Sequence, residues 1–364
     1  SNIRRWLIEN DWLEAIVALP LNMFYNTGIA TYIWVLTNRK PDHRKGKLQL
    51  IDATQWFKPL RKNLGKKNCE LAPDDIQRIC DTYLAFKETE QSKIFPNAAF
   101  GYWKVSVERP LRLHSQLSVK AIEGLRFASG DEELRSEFYD QLGDALFENF
   151  ASVQAQLEKL LLDRSGPSDE SDDDDAPAKK PLPERTRKKL LDPRSWERDG
   201  KLVEAANALR RELGDGLFEN HNLFRDRVDN ALRRLGLKLS TTDLKLILRA
   251  VSWRVETAPP VIAKQEKLKP GQNVSATDRL HGWSELRTPK SAFRIRFEPD
   301  SDLRDTEQVP LLEEGGIEAF IRREVLPYTP DAWIDESATK IGYEISFTRH
   351  FYKPQPLRTL DEIR

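Results

Sequence analysis

The sequence from Trp12 to Leu36 reads WLEAIVALPLNMFYNTGIATYIWVL and contains two short apolar runs. The first run, at 13–19, ends at Pro20, and the second, at 29–36, is rich in β-branched and aromatic residues. Runs that are this short, apolar throughout and bounded by turn residues are typical of strands buried on both faces. We therefore predict two central strands, which could form an antiparallel pair with an irregular connection. A third run at 48–53 predicts another strand.

Helical patterns follow farther along the chain. Pro73 precedes two aspartates and an apolar stripe, which predicts a helix over 73–87. Apolar residues at steps of three and four predict helices over 115–162, and capping residues predict further helices over 199–255. Between these regions lies an acidic and then basic stretch with no aromatic residue. Such a composition cannot offset its ordering entropy, so we predict a disordered linker.

Composition excludes several classes of protein. Lys and Arg number 58 and Asp and Glu also 58, so the chain is not a uniformly basic nucleic-acid coat. The only cysteines, Cys69 and Cys80, fit neither a zinc motif nor a disulfide framework, and reduced thiols in the cytoplasm are expected. No apolar run reaches the roughly 20 residues of a membrane helix, so no membrane partner is expected. No histidine has a second ligand at metal spacing, and no metal site is predicted.

One segment carries an excess of positive charge, although the net charge of the chain is zero. From Arg39 to Lys67 there are ten lysines and arginines but only two aspartates, with Trp56 and Phe57 among them. A local basic stretch with interleaved aromatics indicates a surface that follows phosphates, although a solvated loop face is an equally good interpretation. The candidate contacts to the DNA backbone are Arg39, Lys40, Arg44, Lys45, Lys47, Arg61, Lys62, Lys66 and Lys67.

A second candidate site is the turn between the first two runs. Phe24 and Tyr25 lie in this turn, and turns at strand ends commonly carry the functional site of an α/β fold. An aromatic side chain there could stack on an extruded base, whereas the alternative is a lid over the core. There is no glycine-rich phosphate loop, no zinc-protease motif and no nucleophile elbow, so no catalytic residue is predicted.

The same strings resemble the late motifs of N6-adenine DNA methyltransferases, most closely the modification subunits of type I restriction–modification systems. WLEAIVALP at 12–20 and FYNTGIATYIWVL at 24–36 carry the N-terminal part of the resemblance. In the C-terminal part the corresponding strings are DLRDTEQVPL at 302–311, REVLPY at 323–328, PDAWID at 330–335 and KIGYEI at 340–345.

The resemblance implies transfer of a methyl group from S-adenosylmethionine to adenine N6 of DNA. It also implies a specificity subunit and a restriction subunit as partners. Phe24 matches the aromatic position that lines the pocket for the flipped base, with Tyr25 beside it, and Asn26, Thr27 and Gly28 match the loop that shapes this pocket. The family's Asn-Pro-Pro-aromatic loop and donor-binding turn do not occur in this chain. We therefore expect an inactive C-terminal fragment, with the donor site upstream and no donor bound here.

The expected fold is mixed α/β. It consists of a partial, truncated methyltransferase-type sheet followed by a mainly helical region with a few short strands. We expect a truncated sheet to pair its exposed edge with a second copy or to be covered by the chain's own helix. The expected segments are the end of the catalytic domain at 1–110, a helical segment at 111–163, the linker at 164–190, a helical domain at 191–256 and an α+β region at 257–364 that contacts the specificity subunit.

Two other functions remain open. The chain could be a non-catalytic module that docks proteins or DNA during assembly. This hypothesis overlaps with the first, because the C-terminal part of an enzyme can also be a subunit interface. A free-standing helical DNA-binding regulator is less well supported, because no recognition-helix pattern stands out.

Overall fold

Strands and helices alternate along the chain, as the mixed α/β expectation requires. The computed structural model describes residues 2–163, 182–269 and 271–352. Before residue 110 the elements are α1 (Asn2–Glu9), β1 (Leu13–Ala18), β2 (Tyr32–Leu36), β3 (Lys47–Asp52), β4 (Lys58–Leu64), β5 (Lys67–Glu70), α2 (Pro73–Ala85), β6 (Ser92–Pro96) and β7 (Gly101–Glu108).

The remaining elements follow in chain order. From residue 110 to residue 267 they are β8 (Leu113–Ser115), α3 (Val119–Glu123), α4 (Glu132–Leu142), α5 (Ala145–Glu148), α6 (Phe150–Asp163), α7 (Glu184–Leu190), α8 (Pro193–Leu213), α9 (His221–Leu235), α10 (Thr241–Ala250), β9 (Ser252–Arg254) and β10 (Ile262–Lys267). After residue 270 they are α11 (Ala276–Leu280), β11 (Trp283–Thr288), β12 (Ser291–Phe297), β13 (Asp305–Pro310), α12 (Gly316–Phe320), a π-helical turn (Ile321–Val325), β14 (Trp333–Tyr343) and α13 (Phe347–Phe351).

The chain divides into two units that do not follow the predicted segments. The first unit contains the described residues within 1–109, 274–282 and 301–364, and the second contains those within 110–273 and 283–300. The predicted α+β region at 257–364 is therefore wrong as a single segment, because its strands are shared between the units. Strand pairing decides this division, and pairing between distant segments leaves no local pattern in a sequence.

The central sheet of the first unit has the strand order β2-β1-β3-β6. β1 pairs antiparallel with β2 and parallel with β3, which confirms the predicted antiparallel pair. All six residues of β1 are buried, and β3 is buried over most of its length. Both were predicted as buried strands, and both are central in the sheet.

Strand β2 differs from the prediction. It is shorter than the apolar run at 29–36, and it forms the edge of the sheet rather than its centre. Ile33 is 45% exposed and Leu36 is 51% exposed. The prediction of burial on both faces is wrong here. An apolar composition indicates that a strand is suited to burial, but it does not show that other elements cover the strand.

Each face of the central sheet has its own cover. On one face Ile79 and Tyr83 of α2 pack against Val17 and Ile51. α2 begins at Pro73 as predicted, and the Asp75 carboxylate accepts a hydrogen bond from the Ala72 amide at 2.9 Å. The opposite face is covered by residues from α1, from the turn before β7 and from the C-terminal part of the chain up to α13, which include Ile8, Phe100, Tyr343, Ile345, Phe347 and Phe351.

A second sheet of the first unit has the order β13-β7-β14, with antiparallel pairing throughout. Its core contains Val105, Val309 and Ile334 together with Ile321 of the π-helical turn. The alternating string at 102–107 predicts an exposed strand, yet it forms the middle strand of this sheet. The C-terminal strings are therefore part of the same unit as the N-terminal strings.

The second unit is mainly helical, and α8 joins its two cores. Trp196 near the start of α8 packs with Phe138 and Leu157 of α4 and α6. Farther along the same helix Leu209 packs with Phe224 and other residues of α9 and α10. The two helical segments predicted as separate regions thus share one helix. The unit also contains a sheet of order β10-β12-β11.

The predicted linker at 164–190 is wrong at its C-terminal end. Residues Glu184–Leu190 form α7, and Leu190 is fully buried in the core around Trp196. Residues 164–181 lie outside the described part of the chain. Among the described helices none is both long and apolar enough to cross a membrane.

Candidate nucleic-acid interface

The loop between β1 and β2 presents its aromatic side chains to solvent. We call residues 21–28 the aromatic loop. Phe24 is 47% exposed and Tyr25 is 68% exposed, so neither forms the core lid that was the alternative interpretation. Asn26 has φ of 54°. Asn is one of the few residues that tolerate this left-handed region, which allows the chain to turn sharply directly after Tyr25.

Hydrogen bonds fasten the base of this loop. The Asn68 amide of β5 donates to the Asn22 carbonyl at 3.1 Å, and the buried Cys69 thiol donates to the Leu21 carbonyl at 3.2 Å. Burial raises the pKa of the Cys69 thiol, which favours the protonated form that can donate this bond. Met23 packs on the core beneath the loop.

Strands β4 and β5 form a cationic hairpin, which we call the basic hairpin (residues 58–70). It contains no acidic residue before Glu70. Most of its cations are exposed, and one is half-buried. These cations are Lys58, Arg61, Lys62, Lys66 and Lys67. An exposed cluster of one sign is the feature expected of a phosphate-binding surface.

Lys40 is not part of this surface, which corrects one of the predicted DNA contacts. Its side chain is 2% exposed, and its Nζ lies 2.5 Å from Asp11 Oδ1 and 2.7 Å from the Lys47 carbonyl. Burial tends to raise the pKa of Asp11, but hydrogen bonds from Lys40, Gly46 and Asn97 outweigh it and leave that pKa below its ordinary value. The Lys40–Asp11 pair therefore holds the β2–β3 connection in place.

Arg44 is the second predicted DNA contact that the structure places inside the protein. Its guanidinium lies over the rings of Tyr83 and Phe86, 4.2 and 4.3 Å from their centroids. Its Nε lies 3.2 Å from Glu14 Oε1, and both side chains are almost fully buried. Arg44 thus packs α2 against the sheet and cannot reach a phosphate.

The other predicted cations of this segment remain at the surface. Arg39 and Lys47 are exposed. Lys45 pairs with Asp42 at 2.6 Å, but with side chains 63% and 94% exposed such a pair is weak and does not prevent another contact. The exposed cations therefore fall into two groups: those of the basic hairpin, which follows the end of β3, and Arg39, Lys45 and Lys47, which precede or begin that strand.

The aromatic loop and the basic hairpin meet at Gly65. A Cβ placed on Gly65 would lie 2.6 Å from Asn26 Oδ1 and 3.0 Å from Tyr25 Cε2. The two features predicted separately from the sequence are therefore neighbours. Sequence reasoning did not find Gly65, although a glycine between Leu64 and Lys66 is a turn signal.

The arrangement is suited to binding a ligand rather than to catalysis. It combines exposed aromatic rings, which can stack on a base, with cations, which can bind phosphates. Within the described residues no group of three or more His, Cys, Asp or Glu is placed to hold a metal ion.

The family model described as N-6 DNA Methylase matches residues 1–101, which include the aromatic loop and the basic hairpin. Residues 1–101 are thus similar to members of the N-6 DNA methylase family. Further relatives are methylase subunits of type I restriction enzymes. The chain is 35% identical over 90 residues to the MjaIX methylase subunit of Methanocaldococcus jannaschii, which covers 25% of this chain and 15% of that protein. It is 28% identical over 169 residues to the MjaVIII methylase subunit of the same organism, covering 44% and 26%.

The similarity extends to other organisms. The chain is 36% identical over 88 residues to the MpnII methylase subunit of Mycoplasma pneumoniae, covering 24% and 15%. A crystal structure of a type I restriction-modification methyltransferase subunit from Streptococcus thermophilus shares 22% identity over 27% of this chain and 19% of that chain, with a TM-score of 0.23. The matched part of this chain spans no more than 26% of the length of these curated relatives.

Proposed function

We propose that this chain is the C-terminal part of the modification subunit of a type I restriction–modification system. In this proposal the whole subunit methylates adenine N6 of DNA in the cytoplasm, together with a specificity subunit and a restriction subunit. The aromatic loop receives the extruded adenine, and the basic hairpin binds the neighbouring phosphates. The observation that carries the proposal is the contact between loop and hairpin within the segment matched by the N-6 DNA methylase model.

S-adenosylmethionine would supply the methyl group, but the described residues do not fit this donor. The carboxyl ends of β1 and β3, where an α/β sheet binds its ligand, carry hydrogen bonds within the chain itself. The Ala53 amide donates to the Ala18 carbonyl at 3.0 Å, and the Thr54 amide and hydroxyl both donate to Asp52 Oδ1. No glycine occurs between Gly46 and Gly65. In this proposal the donor site lies outside this chain.

We expect the chain by itself to bind no S-adenosylmethionine and to methylate no DNA. Isothermal titration with S-adenosylmethionine should release no binding heat. A dissociation constant in the micromolar range, equivalent to about −8 kcal/mol, would move the donor site into these residues.

We expect weak, sequence-independent binding to duplex DNA that decreases steeply with salt. Replacing Lys62, Lys66 and Lys67 by Glu should flatten the log–log salt dependence by about 0.9 for each lost phosphate contact. The measurement is fluorescence anisotropy of a labelled duplex over a range of salt concentrations. The matched control replaces three exposed lysines of the second unit, Lys238, Lys269 and Lys290, by Glu. If both triple variants behave alike, or if no binding occurs at low salt, the basic hairpin is only a solvated face.

A second function, an assembly module, is favoured by one observation. The edge strand β2 leaves apolar side chains in solvent, and exposed apolar surfaces often mark an interface. In this alternative the chain docks the specificity subunit or a second copy, with the region at 257–364 as the proposed contact for the specificity subunit. Binding of the isolated specificity subunit, together with absent DNA binding, would favour this alternative.

A further inference from the structure

The tip of the basic hairpin is fitted to the aromatic loop at a single residue. Gly65 has φ of 60°, in the left-handed region that glycine adopts without strain. A Cβ on this residue would force the Asn26 side chain to shift and would press on the ring of Tyr25. Gly65 therefore meets both a conformational requirement and a steric one.

The opposite end of the contact is fixed as well. Asn68 and Cys69 of β5 bind the carbonyls of Asn22 and Leu21, so the hairpin holds the loop at its base while Gly65 lies against its tip. Lys66 and Lys67 lie between these two attachments in the sequence. Each of these lysines is therefore the direct sequence neighbour of a residue that contacts the aromatic loop.

We propose that Gly65 is a positioning residue that couples phosphate binding by the basic hairpin to the placement of Tyr25 for stacking on an extruded base. The inference rests on the proposed function, in which the loop receives the base. A phosphate held by the lysines beside Gly65 fixes the position of the hairpin tip. The tip in turn fixes the position of the Tyr25 ring. Replacing Gly65 separates the two events without removing any cation or any aromatic ring.

The chain offers a matched control for this substitution. Gly46 has φ of 69°, so it occupies the same left-handed region, but a Cβ there would meet nothing within 4 Å. Gly65→Ala and Gly46→Ala therefore introduce the same backbone strain, and only the first adds a clash with the aromatic loop. Gly65→Asn and Gly46→Asn form a second pair with less strain, because Asn tolerates this region.

The test compares two duplexes that differ in one unpaired adenine. The full chain is titrated with a perfect duplex and with the same duplex carrying the unpaired adenine, at several salt concentrations. Wild-type chain should prefer the unpaired adenine, because stacking of a base on an aromatic ring adds affinity. Gly65→Ala should lose this preference, about tenfold, and keep the salt dependence of the perfect duplex. Gly46→Ala should keep both.

Hydrogen exchange supplies a measurement that does not depend on DNA. In Gly65→Ala the amides of residues 22–28 should exchange faster than in wild type, whereas in Gly46→Ala they should be unchanged. A wild-type preference that survives in both Gly65 variants, or unchanged exchange in the loop, would overturn the coupling while leaving the proposed function intact. Absence of DNA binding by the wild-type chain would overturn the proposed function and this inference with it.

Discussion

At the scale of single residues, His221 is expected to make stability depend on pH. Its Nδ1 lies 2.8 Å from the Ser115 hydroxyl and 3.3 Å from that of Ser252 in the interior of the second unit. Burial, aided by the charge of Arg225, lowers the pKa of His221 to about 4. The folded state thus binds fewer protons than the unfolded state between pH 6.5 and 4. The contribution of His221 to the free energy of unfolding is complete above about pH 6.5 and is lost as the pH falls towards 4.

His221→Asn, whose amide can still bond to Ser115, should remove this component, worth about 3 kcal/mol across the window. Urea denaturation at several pH values measures the effect. His43→Asn, at an exposed histidine of the first unit, is the control variant. Identical profiles for His221→Asn and wild type would show that His221 does not titrate differently on unfolding.

The basic segment shows how far residue-level prediction reaches. Its excess of positive charge is visible in the sequence, and most cations of the basic hairpin are exposed. Lys40 and Arg44 were indistinguishable from the others, because their partners Asp11 and Glu14 are distant in sequence. A charge count cannot separate a solvated cation from a buried one whose partner is supplied by folding.

At the scale of elements, β2 is expected to govern self-association. Among the described strands it pairs only with β1, so it forms an edge of the sheet, and its apolar side chains are exposed, a combination that invites pairing with another strand. Ile33→Lys should reduce concentration-dependent association in sedimentation velocity, because a charged edge resists pairing. Leu84→Lys is the control, since Leu84 is 70% exposed but belongs to helix α2. A wild-type chain that stays monomeric at every concentration would contradict the expectation.

The strands themselves were predictable, but their neighbours were not. The runs at 13–19 and 48–53 form β1 and β3 because short apolar β-branched segments are suited to buried strands. The same reasoning placed β2 in the centre of the sheet and left β7 exposed. Both errors concern strand order, which is set by pairings across the whole chain. Hydrophobic periodicity carries no information about those pairings.

At the scale of the whole molecule, each unit has its own core and should unfold in its own transition. Leu50→Ala and Leu209→Ala are matched probes, since both leucines are fully buried in different units. Each substitution should destabilise its own unit by about 2–5 kcal/mol and leave the other transition in place. Differential scanning calorimetry resolves the two transitions. A single transition that shifts with either variant would mean that the described units unfold together.

The middle position of β7 also has a consequence for synthesis. β7 ends at Glu108, whose carboxylate binds Arg304 at a separation of 196 residues. A ribosome adding about 5–20 residues per second needs roughly 10–40 s to travel that far. During this interval both long edges of β7 lack their partner strands, while β1 and β3 have already emerged and can pair. Completion of the first unit therefore waits until β13 and β14 have been translated, and a nascent chain stalled before residue 305 would expose the unpaired edges of β7 to any chaperone nearby.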